Sequence, residues 1–142
     1  VNYAAHGDKS FAVAVVAMDG DTIVGASMDE FQFLAEGEGV VPVPNSDGAF
    51  AEGYADPSTP LASKLDSTEY YSGHMAEAAG ATKTLDENYA AIEDYVVGKT
   101  VAELEEALEE NGEGMVDVVS GATLVDTAGY VETFIEAAKA VK

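Results

Sequence analysis

Residues Phe11 to Ala26 read FAVAVVAMDGDTIVGA. Phe11 to Met18 is a run of β-branched and small residues with apolar side chains at both parities. Asp19-Gly20-Asp21 interrupts it with turn chemistry, and Thr22 to Ala26 resumes an apolar run. Two extended runs around a glycine-centred turn predict a β-hairpin. A further extended stretch, Phe31 to Leu34, follows Met28-Asp29-Glu30. Gly37 to Pro60 is rich in Gly, Pro, Asp and Ser and holds the short run Val40 to Val43, so it reads as a loop carrying one strand at most.

The second half has a different period. Ser67 to Thr82 carries no decisive pattern. From Asp86 onward the chain is helical: Leu85, Tyr89, Ile92 and Val96 recur at helical spacing, and Gly98 is a natural stop. Thr100-Val-Ala-Glu103 is a capping box, in which hydroxyl and carboxylate satisfy the first free N–H groups of the next helix. Val101, Leu104 and Leu108 give that helix a narrow apolar stripe, which ends near Asn111-Gly112. Met115 to Val119 has strand composition. From about Asp126, Tyr130, Phe134, Ala137 and Val141 lie on one side of a final helix, widened by Val131, Ile135 and Ala138. Clustered strands followed by helices, with one late strand, predict an α+β domain over residues 1–142: an antiparallel sheet with an N-terminal β-hairpin, helices packed on it, and the last helix C-terminal. No P-loop and no G-x-G-x-x-G is present.

Composition narrows the possible functions. The 142 residues suffice for one domain with a substantial core, and 47% hydrophobic content excludes a disordered chain. There are 27 acidic residues and 6 basic ones, all lysine, for a formal net charge of −21. Nucleic acid and anionic membrane surfaces both recruit basic residues, so neither is an expected partner. With no cysteine, disulfides, thiolate catalysis and cysteine-ligated metals are excluded. No apolar run reaches the roughly 18 residues of a spanning helix. A start at Val1 rather than Met is the expected mark of a trimmed chain that has lost a signal peptide or lipid anchor. His6 and His74 are too few and too scattered for a histidine metal site, and no metal is expected.

Asp117 to Thr123 read DVVSGAT: an acidic residue, two apolar residues, then Ser-Gly-Ala-Thr leading into the C-terminal amphipathic stretch. Residue by residue this resembles the flavinylation signature of the FMN-binding domain family, which includes subunits of membrane electron-transport complexes and bacterial surface flavoproteins. The resemblance covers the last quarter of the chain and, more loosely, the hairpin. In covalent members of that family a flavin transferase esterifies FMN, through its phosphate, to the hydroxyl of the motif's last residue, here Thr123. The resemblance therefore implies FMN as cofactor and an electron carrier more than a stand-alone enzyme. It also implies three partners: a flavin transferase, a membrane-bound electron donor and an external electron acceptor. The implied location is extracytoplasmic, at the cell surface or anchored to a membrane through a segment outside this sequence. The competing expectation is a non-catalytic surface or ligand-binding module of the same fold without covalent flavin. A reductase domain with loosely bound FMN is a third.

The chemistry of the motif suits an anchor. Gly121 permits a tight strand-to-helix turn, Ala122 adds little bulk beside the reacting hydroxyl, and Thr123 supplies the oxygen. Ser120 can hydrogen-bond backbone or phosphate oxygens, whereas Asp117 cannot pair with phosphate as an anion and belongs to the recognition motif. The same four residues, SGAT, are also ordinary turn chemistry between a strand and a helix. Gly80-Ala81-Thr82 repeats the short core without the serine or the acidic residue, and Thr82 is expected to stay unmodified. A chain at −21 without arginine is a poor trap for a dianionic free ligand, whereas a phosphodiester carries one charge and cannot leave. Weaker candidates for the flavin site are Tyr70, Tyr71 and His74, which cluster near a glycine and can stack on or bond a flavin ring, and Lys64, which can offset flavin charge. Ser63-Lys64 is similar to a Ser-Lys pair in some surface members of the family, although the chain departs from them around Asp66 to Tyr71. Met75 is expected to be ordinary packing, and the Glu-rich run from Glu103 to Glu113 a solvated helix face.

Overall fold

The alternation along FAVAVVAM builds a strand with two unlike faces. The computed structural model describes residues 10–35, 37–43, 59–79 and 81–141. Strand β1 (Ser10–Asp19) pairs antiparallel with β2 (Thr22–Phe33), and Asp19 faces Thr22 across a turn in which Gly20 takes φ +63°. That left-handed value is open to glycine at no steric cost. Ala17 faces Gly25 but Met18 faces Ile23, so Val24 is an extra residue bulged out of the ladder.

Phe31 to Leu34, expected as a separate extended stretch, is mostly the end of β2. The third strand, β3 (Leu61–Ser63), lies just beyond the segment expected to be loop, and pairs antiparallel with Phe31 to Phe33 to give the order β1-β2-β3. The run Val40 to Val43 joins the sheet through the bridge from Pro42 to Ala62 and a bond from the Val43 N–H to the Leu61 carbonyl, and the Val41 N–H donates to Ser67 Oγ at 3.0 Å.

Ser67 to Thr82, open from sequence, contains helix α1 (Thr68–Ala79). Helix α2 (Leu85–Val96) buries Leu85, Asn88, Tyr89, Ile92 and Val96, and Gly98 ends the segment at φ +85°. The expected capping box starts α3 (Val101–Asn111): the Thr100 N–H donates to the Glu103 carboxylate at 2.8 Å and the Glu103 N–H to Thr100 Oγ1 at 3.3 Å. A 3-10 turn at Gly112–Gly114 then winds into α4 (Met115–Val118).

Met115 to Val118 is thus helical and not the expected strand, and Val119 caps it in an extended conformation. The Val119 N–H donates to the Met115 carbonyl at 3.0 Å, and this i,i+4 pair places both side chains in the core. The last helix, α5 (Thr127–Lys139), buries Tyr130, Val131, Phe134, Ile135, Ala137 and Ala138, while Val141 lies exposed beyond its end.

The α+β arrangement follows from where these apolar faces meet. α5 packs against β1, α2 against β2, and α3 against α5. Ile23 and Met28 from the sheet join Tyr89, Ile92, Leu104, Met115 and Phe134 in one core. Each fully buried side chain of this size contributes about 1.5–3 kcal/mol of hydrophobic stabilisation. The hairpin tip is clipped to the α2–α3 connection: the Ile23 N–H donates to the Lys99 carbonyl at 2.9 Å, and the Gly98 N–H to the Ile23 carbonyl at 2.7 Å. On the opposite face Phe11, Val13, Val15 and Val24 remain exposed, with Phe11 stacked on Phe31 at 5.3 Å. Among the described residues no helix is long and apolar enough to cross a membrane.

Thr100→Ala removes the α3 cap and is expected to cost about 1 kcal/mol, seen as a lower urea midpoint at unchanged slope. Glu93 offers a pH test. Its half-buried carboxylate accepts the Met28 N–H at 2.9 Å, and burial raises its pKa despite that bond. A raised carboxylate favours the folded state when protonated, so its contribution is present at low pH and lost as pH rises through the raised value. Glu93→Gln keeps an acceptor without the charge. Its stability relative to wild type should grow in thermal melts as pH rises above the ordinary glutamate value of about 4.3.

Candidate functional site

Gly121 is the pivot of the Asp117–Thr123 segment. It takes φ +95°, and a Cβ there would lie 3.3 Å from the Ala91 side chain on α2. Positive φ and close approach together call for glycine. The turn leaves helix α4 and not a strand, with the Ala122 N–H donating to the Val119 carbonyl at 3.0 Å. Ala122 is buried, and Ser120, Gly121 and Thr123 are exposed around it. Asp117 is exposed on α4, and among the described residues neither its carboxylate nor the Ser120 hydroxyl has a hydrogen-bond partner.

Thr123 is held from beneath by Asn88. The Thr123 N–H donates to Asn88 Oδ1 at 2.6 Å, and the Thr123 hydroxyl donates to the same oxygen at 3.2 Å. Asn88 is fully buried, because it shares the α2 face of Leu85, Tyr89 and Ile92. Its Nδ2 donates to the Thr84 carbonyl at 2.9 Å, so both ends of the amide are satisfied. An amide on an otherwise apolar helical stripe was the sequence signal for this residue, and it passed unnoticed beside the larger tyrosine.

Immediately after Thr123 the chain borders a cavity of about 290 Å³ between α1, the start of α2 and the start of α5. Tyr71, Met75, Leu85, Leu124, Val125, Asp126 and Tyr130 line it. Val125 is 90% exposed, an unusual position for a valine that also borders a cavity. The wall is apolar and aromatic, and among the described residues Asp126 is the only charged one in it.

Behind the wall lies a buried polar network. Tyr130 donates to Glu30 Oε2 at 2.6 Å, and Glu30 Oε1 pairs with the Lys64 ammonium at 2.9 Å. Glu30 and Lys64 are fully buried. Lys64 also sits 4.5 Å from the centre of the Tyr71 ring, a cation–π contact, and Tyr89 meets Tyr130 edge-on at 5.5 Å. Burial, reinforced by the Glu30 charge, pushes both the Tyr89 and the Tyr130 phenol well above the usual tyrosine range, so both stay protonated. Register explains how Lys64 reaches this position. The Lys64 N–H donates to the Glu30 carbonyl at 2.8 Å, while Ser63 donates to the Asp29 carboxylate, which also accepts the Leu65 N–H at 3.0 Å.

The structure therefore joins some expected residues and separates others. Gly121, Ala122 and Thr123 form one turn against α2, Tyr71 lies across the cavity from Leu124 to Asp126, and Lys64 stands behind Tyr71. Tyr70 and His74 lie elsewhere: their rings are 4.3 Å apart, and Tyr70 packs on Gly37 and Gly39, away from the cavity. Met75, expected to be packing, is a cavity wall. Glu30, Asn88, Leu124, Val125 and Asp126 were not singled out from sequence, and Tyr130 was read only as core. In the decoy segment Ala81 and Thr82 are described, and Gly80 lies outside the described residues. No group of three His, Asp or Glu among the described residues is arranged to hold a metal ion.

No family model matches the chain, and no curated protein and no solved structure matches it either.

The buried pair makes a sharp stability test. Lys64→Ala leaves the Glu30 carboxylate buried without its cation, and the expected loss is about 3–5 kcal/mol in chemical denaturation. Combining Glu30→Gln with Lys64→Met removes both charges and should recover much of that loss.

Proposed function

We propose that the chain is a one-domain electron carrier in which FMN is attached through its phosphate to Thr123 by a separate flavin transferase. The observation that carries this reading is an exposed threonine, its hydroxyl held by a buried amide, next to an apolar, aromatic-lined cavity. Ligand pockets commonly span about 300–1,000 Å³, and this cavity, open on the side of Val125, lies at the small end. A flat aromatic ring suits such a half-open apolar slot.

The donor set fits a tethered ligand better than a free one. No lysine among the described residues lines the cavity, and Asp126 adds a negative charge there. A dianionic free phosphate would meet repulsion from a chain at −21, and a phosphodiester to Thr123 halves that charge and fixes the position. Bound FMN would supply the redox chemistry. The chain's own residues would do the rest: Thr123 tethers, Leu124 and Val125 border the ring's edge, and Tyr71, Met75 and Tyr130 exclude water from one face. The resemblance of DVVSGAT to the flavinylation signature names the cofactor, and the geometry around Thr123 supports it. On this reading a membrane-bound donor and an external acceptor are the redox partners, and the protein works outside the cytoplasm.

The test is co-expression with a flavin transferase, denaturation and intact-mass measurement. An FMN-sized adduct is expected on wild type, absent from Thr123→Ala, with Thr82 unmodified on peptide mapping. An unmodified wild type, alongside full modification of a known substrate of the transferase, would refute the tether and favour a module of the same fold without covalent flavin.

A further inference from the structure

We infer that Asn88 is the positioning residue for modification of Thr123, so that the acceptor site is assembled by α2 and not by the linear motif alone. This deepens the tether reading and rests on it.

The geometry is specific. Asn88 is fully buried, and its Oδ1 accepts both the N–H and the hydroxyl of a single residue, 35 positions downstream. The amide cannot be reversed, because its NH2 would then face the Thr123 N–H, donor against donor, and its oxygen would face the Thr84 carbonyl. With the hydroxyl proton directed inward to Oδ1, the lone pairs of Oγ1 are turned towards solvent. That is the side from which a phosphorus atom can approach an exposed threonine. The backbone bond at 2.6 Å fixes the residue, and the side-chain bond at 3.2 Å selects its rotamer.

In the modification step the Thr123 Oγ1–P bond forms and a phosphoanhydride P–O bond of a flavin-dinucleotide-class donor breaks. A nucleoside monophosphate leaves with the bonding electron pair, and the Thr123 proton, hydrogen-bonded to Asn88 Oδ1 until Oγ1 begins to bond phosphorus, then turns outward to a base on the transferase. Asn88 takes no proton, since a neutral amide oxygen is far too weak a base. Its contribution is orientation before bond formation. Once Oγ1 is esterified it has no proton to donate, so the side-chain bond to Oδ1 disappears and only the Thr123 N–H bond remains. Asn88 therefore acts on the rate of attachment.

The test uses full-length chain, purified transferase and the flavin dinucleotide donor, with initial rates of adduct formation followed by intact mass over a range of acceptor concentrations. Asn88→Ala should lower kcat on the order of ten- to a hundredfold with KM little changed, the size expected for lost alignment. Asn88→Asp keeps the acceptor towards Thr123 but sets a second oxygen against the Thr84 carbonyl. It should therefore recover rate only while its buried carboxyl is protonated and lose it as pH rises, a pH profile that wild type lacks. Thr100→Ala, destabilised at the start of α3, should react at the wild-type rate and so separates alignment from stability. If Asn88→Ala does not fold by circular dichroism, Asn88→Ser takes its place with the same expected loss. A wild-type rate in the Ala or Ser variant, or an equal loss in Thr100→Ala, would overturn the positioning role alone. A wild type that takes no adduct while a known substrate does would overturn the tether reading, and the positioning role with it.

Discussion

The costliest arrangement in the molecule is the ion pair between Glu30 and Lys64, fully buried beneath the cavity. Each charge loses hydration worth several kcal/mol, and the pair holds only because several partners act together. The carboxylate has the ammonium at 2.9 Å and the Tyr130 hydroxyl at 2.6 Å, and the ammonium also faces the Tyr71 ring. Those partners come from β2, the segment after β3, α1 and α5. The pair therefore holds together elements that are distant in sequence, and sets where two walls of the cavity stand. A well-packed apolar substitute would fill the same volume, but it would not orient the Tyr130 hydroxyl or the Tyr71 ring.

Charge is distributed in a way that matters to any ligand. The one fully buried lysine among the described residues is neutralised by Glu30, and Lys139 is engaged by Glu105 and Glu136. No lysine among the described residues lines the cavity beside Thr123. Attraction to an anionic group is weak there, so residence must come from shape, apolar contact or a covalent bond. The Thr123 side chain and the cavity beside it offer the last two together.

Much of the fold was legible in the sequence, and the errors share a cause. The hairpin turn, α2, the Thr100 cap and α5 each have a periodicity or a punctuating residue and lie close to where they are expected, whereas β2 runs on to Phe33, well past the expected end at Ala26. Met115 to Val119 has strand composition because four apolar residues around Asp117 are too few to show a period, and its helical turn is imposed by the preceding 3-10 turn and the core. The acidic pair Asp29-Glu30 looked like an interruption of β2. In the fold, Asp29 braces the Ser63–Leu65 turn and Glu30 finds Lys64, pairings with no signature in a single strand. For the candidate site, the linear motif was readable but its support was not. Asn88 and Tyr130 join it from helices whose patterns advertise only packing, and Tyr70 and Tyr71, adjacent in sequence, point to different surroundings on α1.

The clip between Ile23 and the Gly98–Lys99 segment bears on the order in which the molecule forms. A hairpin of this kind can close within microseconds from local contacts. Its tip, however, is completed by main-chain partners some 75 residues further along, and α5, which covers β1, comes from the C-terminal end. During synthesis β1 and β2 therefore wait, with an apolar inner face uncovered, until α5 has emerged. Such non-local closure slows folding relative to helical proteins of similar size. It also makes folding of the sheet and completion of the Asn88–Thr123 contact late events.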